Sequence, residues 1–400
     1  MGRPKYAWLL VALLWVVALL NYVDRQVIYA LFPLLEKDFR LTGAQLGLLS
    51  TVFLWVYAAA SPLGGYLADR FRRTRVILLS LLVWSAVTWA TGQANTYLAL
   101  LATRALMGFS EAFYIPAALA LIADHHSERT RSTATGLHQS GLYTGIVLGG
   151  VAGGWLGEHY GWRSPFTILG ASGVAYFVLL AFGLRPASRS AAASRLPLKG
   201  SLKSLAALPG YWRLTAVFAL MGLVNWLVYT WLPTYLYERF GLTLTLAGFS
   251  ATFYIQAASF AGILAGGLAG DYWGTRHSKG RIWIQAAGLL AAAPFLFAVG
   301  STHSRVVLVT ALLLFGLGRG IYDSNAMPVL CQIAPQHLRS TGYGVFNFLS
   351  CVVGGLAAAA AGSLKAVFGL GVAFQVAALL LMVGAALLVT VKPSTTLPRH

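Results

Sequence analysis

The feature that most constrains this 400-residue sequence is a succession of apolar runs, each about 20 residues long, separated by short polar segments. Charged residues make up only 10% of the chain and lie mainly between the runs. A soluble core cannot bury so much apolar surface, so the bilayer must be the solvent of this protein. We predict an all-α membrane protein with twelve transmembrane helices, at residues 6–33, 44–68, 75–94, 98–123, 132–156, 164–185, 212–236, 246–270, 281–300, 306–334, 340–364 and 371–391.

Lysine and arginine are distributed unevenly between the two sets of loops. Of the 29 such residues, the loops opposite the termini hold only Lys37, Arg40, Arg163, Arg239, Arg305 and Lys365. Positively charged loops stay on the cytoplasmic side of a membrane. We therefore expect a multi-pass protein of the inner (cytoplasmic) membrane with both termini in the cytoplasm. The net charge of +18 belongs to these loops and forms no continuous basic face, so nucleic acid is not an expected partner.

A polar segment divides the chain near its middle. Residues 186–211 are rich in Ser, Ala, Arg and Lys, a composition typical of a linker. We interpret them as a cytoplasmic linker between an N-terminal six-helix bundle at residues 1–185 and a C-terminal six-helix bundle at residues 212–400.

Two pairs of matching segments indicate an internal repeat. The second span ends in Gly65–Arg73, GYLADRFRR, and the eighth span ends in Gly267–Arg276, GLAGDYWGTR. The fifth span opens with Arg131–Gly136, RSTATG, and the eleventh opens with Arg339–Gly344, RSTGYG. A repeat that maps each span onto the sixth span after it predicts two pseudo-symmetric six-helix bundles, with a solute path at their interface.

The repeated segments also suggest how such a carrier could be gated. Acidic and basic residues in the loops are candidates for a cytoplasmic latch, with a solvated positive loop as the alternative. Small residues at every fourth position of the fifth span would let it approach the second span and slide, with plain helix packing as the alternative. The predicted gating residues are Gly65, Asp69, Arg70, Arg73, Gly141, Gly145, Gly267, Asp271 and Arg276.

Six ionisable residues lie within the spans, and they define the candidate site. A charge facing lipid costs about 2.5–3.5 kcal/mol or more, so these side chains should face a cavity or each other. A carboxylic acid at this depth can change its protonation as its surroundings change. We assign Asp24 and Glu111 as proton carriers, with a structural ion pair as the alternative. The other four are Arg25, Arg104, Arg319 and Asp323.

The two halves differ at this site. When the fourth and tenth spans are aligned through the repeat, Glu111 falls opposite Arg319 and Tyr114 falls opposite Tyr322. Such asymmetry suits a carrier that couples protons in one half and holds an anion with the other. Arg319 and Asp323 are also spaced as i and i+4, so a private pair within one helix is the alternative.

Polar and aromatic side chains accompany these charges inside the spans. Amides and phenols need hydrogen-bond partners that lipid cannot supply, and this mixture suits a hydroxylated, sugar-like solute. For His138 a packed, hydrogen-bonded histidine is the alternative. The predicted substrate-binding residues are Arg25, Tyr57, Arg104, Tyr114, His138, Gln139, Asn225, Tyr229, Arg319, Asp323, Asn325 and Asn347.

These motifs resemble the major facilitator superfamily over essentially the whole chain. Gly65-x-x-x-Asp69-Arg70-x-x-Arg73 is similar to the family signature after the second helix. Arg104 and Gly108 are similar to its fourth-helix pattern, and the fifth span resembles the antiporter pattern except that Ile146 stands where proline is usual. The resemblance implies the twelve-helix fold and transport by alternating access.

A narrower resemblance is to the anion:cation symporter group, which includes transporters of hexuronates, galactonate and sialic acid. It rests on Asn21-Tyr-Val-Asp24-Arg25, Phe53–Tyr57, Glu111 and Trp231–Leu236. It implies proton-coupled uptake of a small organic anion such as a sugar acid, with Arg25 and Tyr57 contacting the substrate carboxylate. Leu142 stands where that group has a substrate-binding Gln. The Asp24, Arg25 and Glu111 pattern also resembles Spinster-like transporters, which implies export of a lysolipid, amphiphile or drug as the alternative.

Other functional classes find no support in the residue pattern. The sequence shows no metal cluster, no nucleophile and base set, no cofactor fingerprint and no nucleotide-binding loop. We therefore expect no enzyme activity, cofactor or metal. The expected partners are protons, a small organic anion and the lipid bilayer, and the expected state is a monomer.

Overall fold

The computed structural model describes residues 4–126, 128–184, 198–335 and 338–392. Within them the chain forms a series of helices joined by short turns. The helices are α1 (Pro4–Ala30), α2 (Phe32–Phe39), α3 (Gly43–Arg70), α4 (Arg73–Gly92), α5 (Tyr97–Glu111), α6 (Tyr114–His125), α7 (Glu128–Tyr160), α8 (Arg163–Gly183), α9 (Leu198–Ala206), α10 (Tyr211–Phe240), α11 (Leu244–Arg276), α12 (Gly280–Ser301), α13 (Arg305–Ile333) and α14 (Arg339–Val389).

The twelve predicted spans are confirmed. Ten helical segments of the described chain are long and apolar enough to cross a membrane. One of them, Thr341–Val389, holds two spans, because Gly369 interrupts α14 with φ of 71°. The more polar α7 supplies the remaining span. The fold is thus an all-α membrane protein of twelve helices in two six-helix bundles.

The chain divides into two compact units. Unit 1 comprises Met1–Ala193 and Leu232–Thr252, and unit 2 comprises Ser194–Trp231 and Phe253–His400. The predicted linker contains the short helix α9, and residues 185–197 lie outside the described part. The predicted bundle boundaries stay a prediction.

The internal repeat extends to the ends of the helices. Thr96 caps the N-terminus of α5 by accepting a hydrogen bond from the backbone N–H of Ala99, and Ser304 caps α13 in the same way. Such caps satisfy backbone donors that the helix leaves unpaired. Gly161 after α7 and Gly369 within α14 both have positive φ, 81° and 71°, a conformation that glycine adopts without steric cost.

Glycine contacts repeat in the packing as well. A Cβ atom on Gly108 of α5 would lie 2.5 Å from the carbonyl oxygen of Phe53 on α3. A Cβ atom on Gly316 of α13 would lie 2.5 Å from the carbonyl oxygen of Ile255 on α11. The second and fourth spans of each half therefore approach at corresponding positions, where only glycine fits.

The small-residue stripe of α7 packs against α1. Gly141 and Gly145 lie against the carbonyl oxygens of Trp15 and Leu19, and Gly149 and Gly153 continue the contact one and two turns further along. We predicted the second span as the neighbour of this stripe, and that prediction is wrong. The register explains why: glycines four residues apart match carbonyls four residues apart on a helix that lies alongside.

A second glycine face of α7 lies against the start of α11, within unit 1. Gly150 and Gly154 face Gly248 and Leu244. Beside them Glu158 accepts a hydrogen bond of 2.7 Å from Thr245 Oγ1 and one of 3.2 Å from Thr245 N. The carboxylate therefore satisfies a backbone donor in the first turn of α11.

The fourth span of the first half is broken, and the break falls at the candidate site. Helix α5 ends at Glu111 and α6 begins at Tyr114. Pro116 has no N–H to donate to the carbonyl of Ala112, so the helical bond that would cross this point is missing. The freed carbonyl oxygen of Ala112 lies against Gly64 of α3. Ser324 occupies the position of Pro116 in the second half, and α13 continues through it.

Candidate functional site

A buried ion pair in unit 1 joins α1 to α5. Arg25 Nε donates a hydrogen bond of 2.5 Å to Glu111 Oε2, across 86 residues of sequence. The two side chains are 4% and 0% exposed. Each charge is therefore the principal compensation for the other in this buried site. We predicted both residues as members of the site, with a structural ion pair as the alternative role of Glu111, and that ion pair is present.

Three aromatic rings surround the Arg25 guanidinium. Its Cζ atom lies 4.4 Å from the ring centroid of Tyr57, 4.8 Å from that of Tyr22 and 5.3 Å from that of Phe53. These distances are those of cation–π contacts, which are stronger where the cation is desolvated. The rings hold the guanidinium in place without adding any negative charge to the site.

Arg104 is a second buried cation beside the same ring. Its Cζ atom lies 4.5 Å from the centroid of Phe53, so two guanidinium groups share that ring. Arg104 Nε donates to the carbonyl oxygen of Leu49 at 3.4 Å, and the side chain is fully buried. The structure thus places Arg104 in the packing between α3 and α5, where it adds positive charge to the site.

Asp24 faces a different part of the bundle from its neighbour Arg25. Its carboxylate is 2% exposed and lies beside Trp84 and Thr88 of α4, close enough to Glu111 for the two charges to repel. Consecutive helical residues point about 100° apart, which separates Asp24 from Arg25. Asp24 Oδ1 has no hydrogen-bond partner among the described residues.

Tyr114 and His138 meet in the core of unit 1. The Tyr114 hydroxyl donates to the carbonyl oxygen of Leu14 at 2.7 Å and lies 2.9 Å from His138 Nε2. Because that hydroxyl has one proton, it must accept from His138, which fixes the proton of the neutral imidazole on Nε2. Both side chains are fully buried, so the packed, hydrogen-bonded arrangement describes them.

Unit 2 contains the corresponding charged pair on a single helix. Arg319 Nε lies 3.4 Å from Asp323 Oδ2, one turn away on α13. The Arg319 Cζ atom lies 5.3 Å from the ring centroid of Tyr229, whose hydroxyl accepts a hydrogen bond of 3.1 Å from Gln256. The intrahelical pair, which we kept as the alternative, is present alongside the contact with Tyr229.

The remaining predicted substrate contacts differ in burial. Asn325 donates to the carbonyl oxygen of Gly266 at 2.9 Å, and its amide fills the space beside Gly270. It therefore pairs polar groups between α11 and α13. Gln139 and Asn225 are half-buried and Asn347 is exposed.

The predicted gating residues form contacts within their own units. In unit 1, Arg73 pairs with Asp124 of α6. In unit 2, Asp271 pairs with Arg281 at 2.6 Å, and Arg276 Cζ lies 3.5 Å from the ring centroid of Tyr272. Gly267 has open space where a Cβ atom would be. Residues 65–70, which include the predicted Gly65, Asp69 and Arg70, have side-chain surroundings outside the described part.

A second charged contact in unit 1 lies outside the spans. Asp38 accepts hydrogen bonds from Trp162 Nε1 at 2.7 Å and from Arg163 at 3.1 Å. The Trp162 and Arg163 hydrogen bonds lower the pKa of the Asp38 carboxyl below its usual value. This contact ties the short helix α2 to the start of α8.

Two members of the site were named in the sequence analysis only as parts of a family motif and were not predicted as site residues. Phe53 lies between the guanidinium groups of Arg25 and Arg104, and the Asn21 amide lies beside Glu111. Asn21 precedes Asp24 by three residues and so shares its helix face, a spacing that could have identified it. Phe53 carries no polar group, and only its tertiary position reveals its role.

Comparison with known proteins identifies the family of this chain and its relatives. Residues 14–359 match the model of the Major Facilitator Superfamily. The chain is 26% identical over 386 residues to "Probable galactarate/D-glucarate transporter GarP" of Escherichia coli (strain K12), covering 85% of this chain and 84% of that protein. It is 28% identical over 377 residues to protein spinster homolog 1 of Homo sapiens, covering 88% of this chain and 71% of that protein.

A solved structure supports the fold. The crystal structure of a bacterial homolog to the human lysosomal transporter Spinster, in an inward-facing and unoccupied conformation, matches with a TM-score of 0.86 at 22% identity over 97% of each chain. Since the family model spans most of the sequence and the described helices form its fold, the chain belongs to the major facilitator superfamily and is a multi-pass membrane transporter, not an enzyme.

Proposed function

We propose that this transporter takes up a small organic anion such as a sugar acid together with protons, by alternating access. The observation that carries the proposal is the buried pair of Arg25 and Glu111. A guanidinium is the natural bidentate partner of a substrate carboxylate. In this site the guanidinium is already occupied by a carboxylate of the protein, so the two carboxylates compete for it.

Protonation of Glu111 resolves that competition. A neutral carboxylic acid is a weak partner for Arg25, so a substrate carboxylate can take its place on the guanidinium. Arg25 Nη2 has no hydrogen-bond partner among the described residues and offers a further donor to the incoming anion. Proton and anion then bind together because each makes room for the other, which is the requirement for symport.

Charge balance supports the same conclusion. The cluster holds the cations Arg25 and Arg104 and the carboxyl groups Asp24 and Glu111, all fully or nearly fully buried. An uncompensated charge in such a site is strongly unfavourable. Each negative charge brought in by substrate is therefore matched by protonation of one carboxyl group. A dicarboxylate such as galactarate would bring two protons and leave the cluster neutral.

Other parts of the proposal rest on the sequence pattern. Arg319, with Tyr229 and Gln256 beside it, is proposed as a second anion contact. The excess of Lys and Arg in one set of loops supports an inner-membrane location with both termini in the cytoplasm. The functional unit is proposed to be a monomer.

The test is uptake of radiolabelled galactarate into proteoliposomes. With an inward proton gradient the protein should concentrate galactarate above its external level, and without a gradient it should only equilibrate it. D-Galactonate serves as a monoanionic comparison and should be driven less steeply by the same gradient. Equal uptake with and without the gradient for both acids would contradict proton-coupled import.

The second candidate function is export of an amphiphile, favoured by the similarity to protein spinster homolog 1. The same proteoliposomes distinguish it when they are loaded with a fluorescent lysolipid. Proton-dependent loss of the lysolipid, together with absent galactarate uptake, would replace the first proposal with the second.

A further inference from the structure

Helices α1, α4 and α5 enclose a group of buried polar atoms behind the ion pair. Asn21 is fully buried, and neither its Oδ1 nor its Nδ2 has a hydrogen-bond partner among the described residues. The same holds for Asp24 Oδ1, Trp84 Nε1, Thr88 Oγ1 and Glu111 Oε1. Buried polar groups are normally paired, so this concentration of unpaired atoms needs an explanation.

The position of Asn21 connects the two carboxyl groups. Asn21 precedes Asp24 by three residues and Arg25 by four on α1, so it shares a helix face with both, and Arg25 binds Glu111 Oε2 at 2.5 Å. Asp24 and Glu111 in turn are close enough to repel when both are ionised. Asn21 is therefore a neutral side chain on the face of α1 that lies between Asp24 and the Arg25–Glu111 pair.

An amide is suited to two carboxyl groups that hold one proton. Its N–H donates to an ionised carboxylate, and its carbonyl oxygen accepts from the O–H of a protonated carboxylic acid. Neither arrangement is fully used when both acids are ionised or when both are protonated. An amide between the acids thus favours the singly protonated state.

We propose that Asn21 is a positioning residue that stabilises the singly protonated state of the Asp24 and Glu111 pair and so separates its two protonation steps. Trp84 Nε1 and Thr88 Oγ1 act on the Asp24 side, as donors to its ionised form. The proposal rests on the proposed proton-coupled function, and it assigns to Asn21, Trp84 and Thr88 a part in that coupling.

The surrounding charges favour a proton over a metal cation in this pocket. Arg25 from α1 and Arg104 from α5 are cations that act on the acids, α3 contributes the phenol of Tyr57 beside Arg25, and the α4 groups beside Asp24 are the neutral Trp84 and Thr88. Two guanidinium groups repel Na⁺, and the indole N–H of Trp84 cannot coordinate it. A proton instead neutralises one carboxylate directly and places no cation next to the guanidinium groups.

The test is a pH titration of the purified protein by infrared difference spectroscopy, which follows the C=O stretch of protonated carboxylic acids. Asp24→Asn and Glu111→Gln assign the two steps in the wild type. In Asn21→Leu, which has similar volume but no polar atom, the two steps should move closer together by about one pH unit, the size expected for one hydrogen bond to each acid. Thr88→Val should move only the Asp24 step.

Ser85→Ala is the matched control for Thr88→Val. Ser85 is also a buried hydroxyl on α4, but it faces Gly173 of α8. Its titration should equal that of the wild type. If Asn21→Leu does not fold, Asn21→Ser is measured in its place with the same expected direction. The proposal would be overturned if the spacing of the two steps is unchanged in the Asn21 variant. It would also be overturned if adding Na⁺ at constant pH removes the C=O stretch of a protonated acid.

Galactarate uptake in the same preparations separates this inference from the proposed function. If the wild type fails to concentrate galactarate but the steps converge in Asn21→Leu, the proposed function fails and the role of Asn21 stands. If uptake follows the gradient but the steps do not converge, the function stands and the role of Asn21 is wrong.

Discussion

The two halves of the molecule place an arginine and a carboxylate at related positions, but they do so in different ways. In the first half the pair connects two helices, and both side chains are buried. In the second half Arg319 and Asp323 are neighbours on one continuous helix, and Asp323 is 31% exposed. Pro116 breaks the fourth span in the first half, while Ser324 lets α13 continue in the second.

This difference indicates which half of the molecule could couple proton binding to anion binding. A pair within one helix is formed by local geometry and is present in any arrangement of the bundle. A pair between α1 and α5 depends on how the helices pack, and Glu111 ends a helix where backbone bonding is already interrupted. Under the proposed function, the first half therefore holds the charge pair that substrate and proton open, and the second half holds a pair that stays formed.

The largest expected difference is in stability. Glu111→Ala leaves Arg25 as an uncompensated buried cation and should lower the free energy of unfolding by about 3–5 kcal/mol. Asp323→Ala removes an i, i+4 pair with a partly exposed acid and should cost about 0.3–0.5 kcal/mol. Thermal unfolding of both variants in the same detergent measures the contrast. Equal losses would remove the distinction between the two pairs.

The second prediction concerns the shape of the cation. Arg25→Lys keeps the charge but loses the planar fork that binds a carboxylate with two parallel hydrogen bonds. Galactarate affinity should fall by about tenfold or more, the size of a lost hydrogen bond to a charged group. Arg319→Lys is the matched variant, and its weaker effect on a titrated binding curve would confirm that the first half holds the main anion contact.

The third prediction tests the feature that the halves share. Gly108→Ala and Gly316→Ala each place a Cβ atom 2.5 Å from a backbone oxygen of the neighbouring helix, so each should destabilise its half by about 1–3 kcal/mol. Gly267→Ala, which meets open space, is the control and should be neutral or stabilising. A large difference between the first two variants would show that the halves do not pack alike.

Much of this fold is predictable from the sequence, because span length, loop charge and the repeat are local signals. The burial of Glu111 indicates that it needs a partner such as Arg25, but the sequence does not give the geometry of that pair, since it joins residues 86 apart and depends on the relative rotation of two helices. The neighbour of the α7 glycine stripe was mispredicted for the same reason: the stripe indicates close packing but not the partner. His138 likewise became interpretable only once Tyr114 was seen beside it.

The smallest expected effect concerns Asp38, whose partners Trp162 and Arg163 correspond to Leu370 and Gly371 in the second half. Because its pKa is lowered in the folded protein, Asp38 stabilises the fold above its unfolded pKa of about 3.9, and this contribution is lost as pH falls through that region. The side chain is partly exposed, so the contribution should be only a few tenths of a kcal/mol. The free energies of unfolding of the wild type and of Asp38→Asn should therefore converge as pH falls from about 5 to about 3. Trp162→Phe should reduce the pH dependence of the free energy of unfolding. A constant difference across that range would contradict the assignment.

The most direct test of the account is transport by Glu111→Gln, with Asp323→Asn as the matched variant in the second half. Glutamine mimics the protonated acid, so Glu111→Gln should still exchange internal for external galactarate at symmetric pH. Because Asp24 alone can then take up a proton, accumulation of galactarate by this variant should follow an inward proton gradient less steeply than that of the wild type, whereas Asp323→Asn should keep both activities unchanged. If Glu111→Gln concentrates galactarate as steeply as the wild type in response to the gradient, Glu111 is not a group that couples protons to the anion.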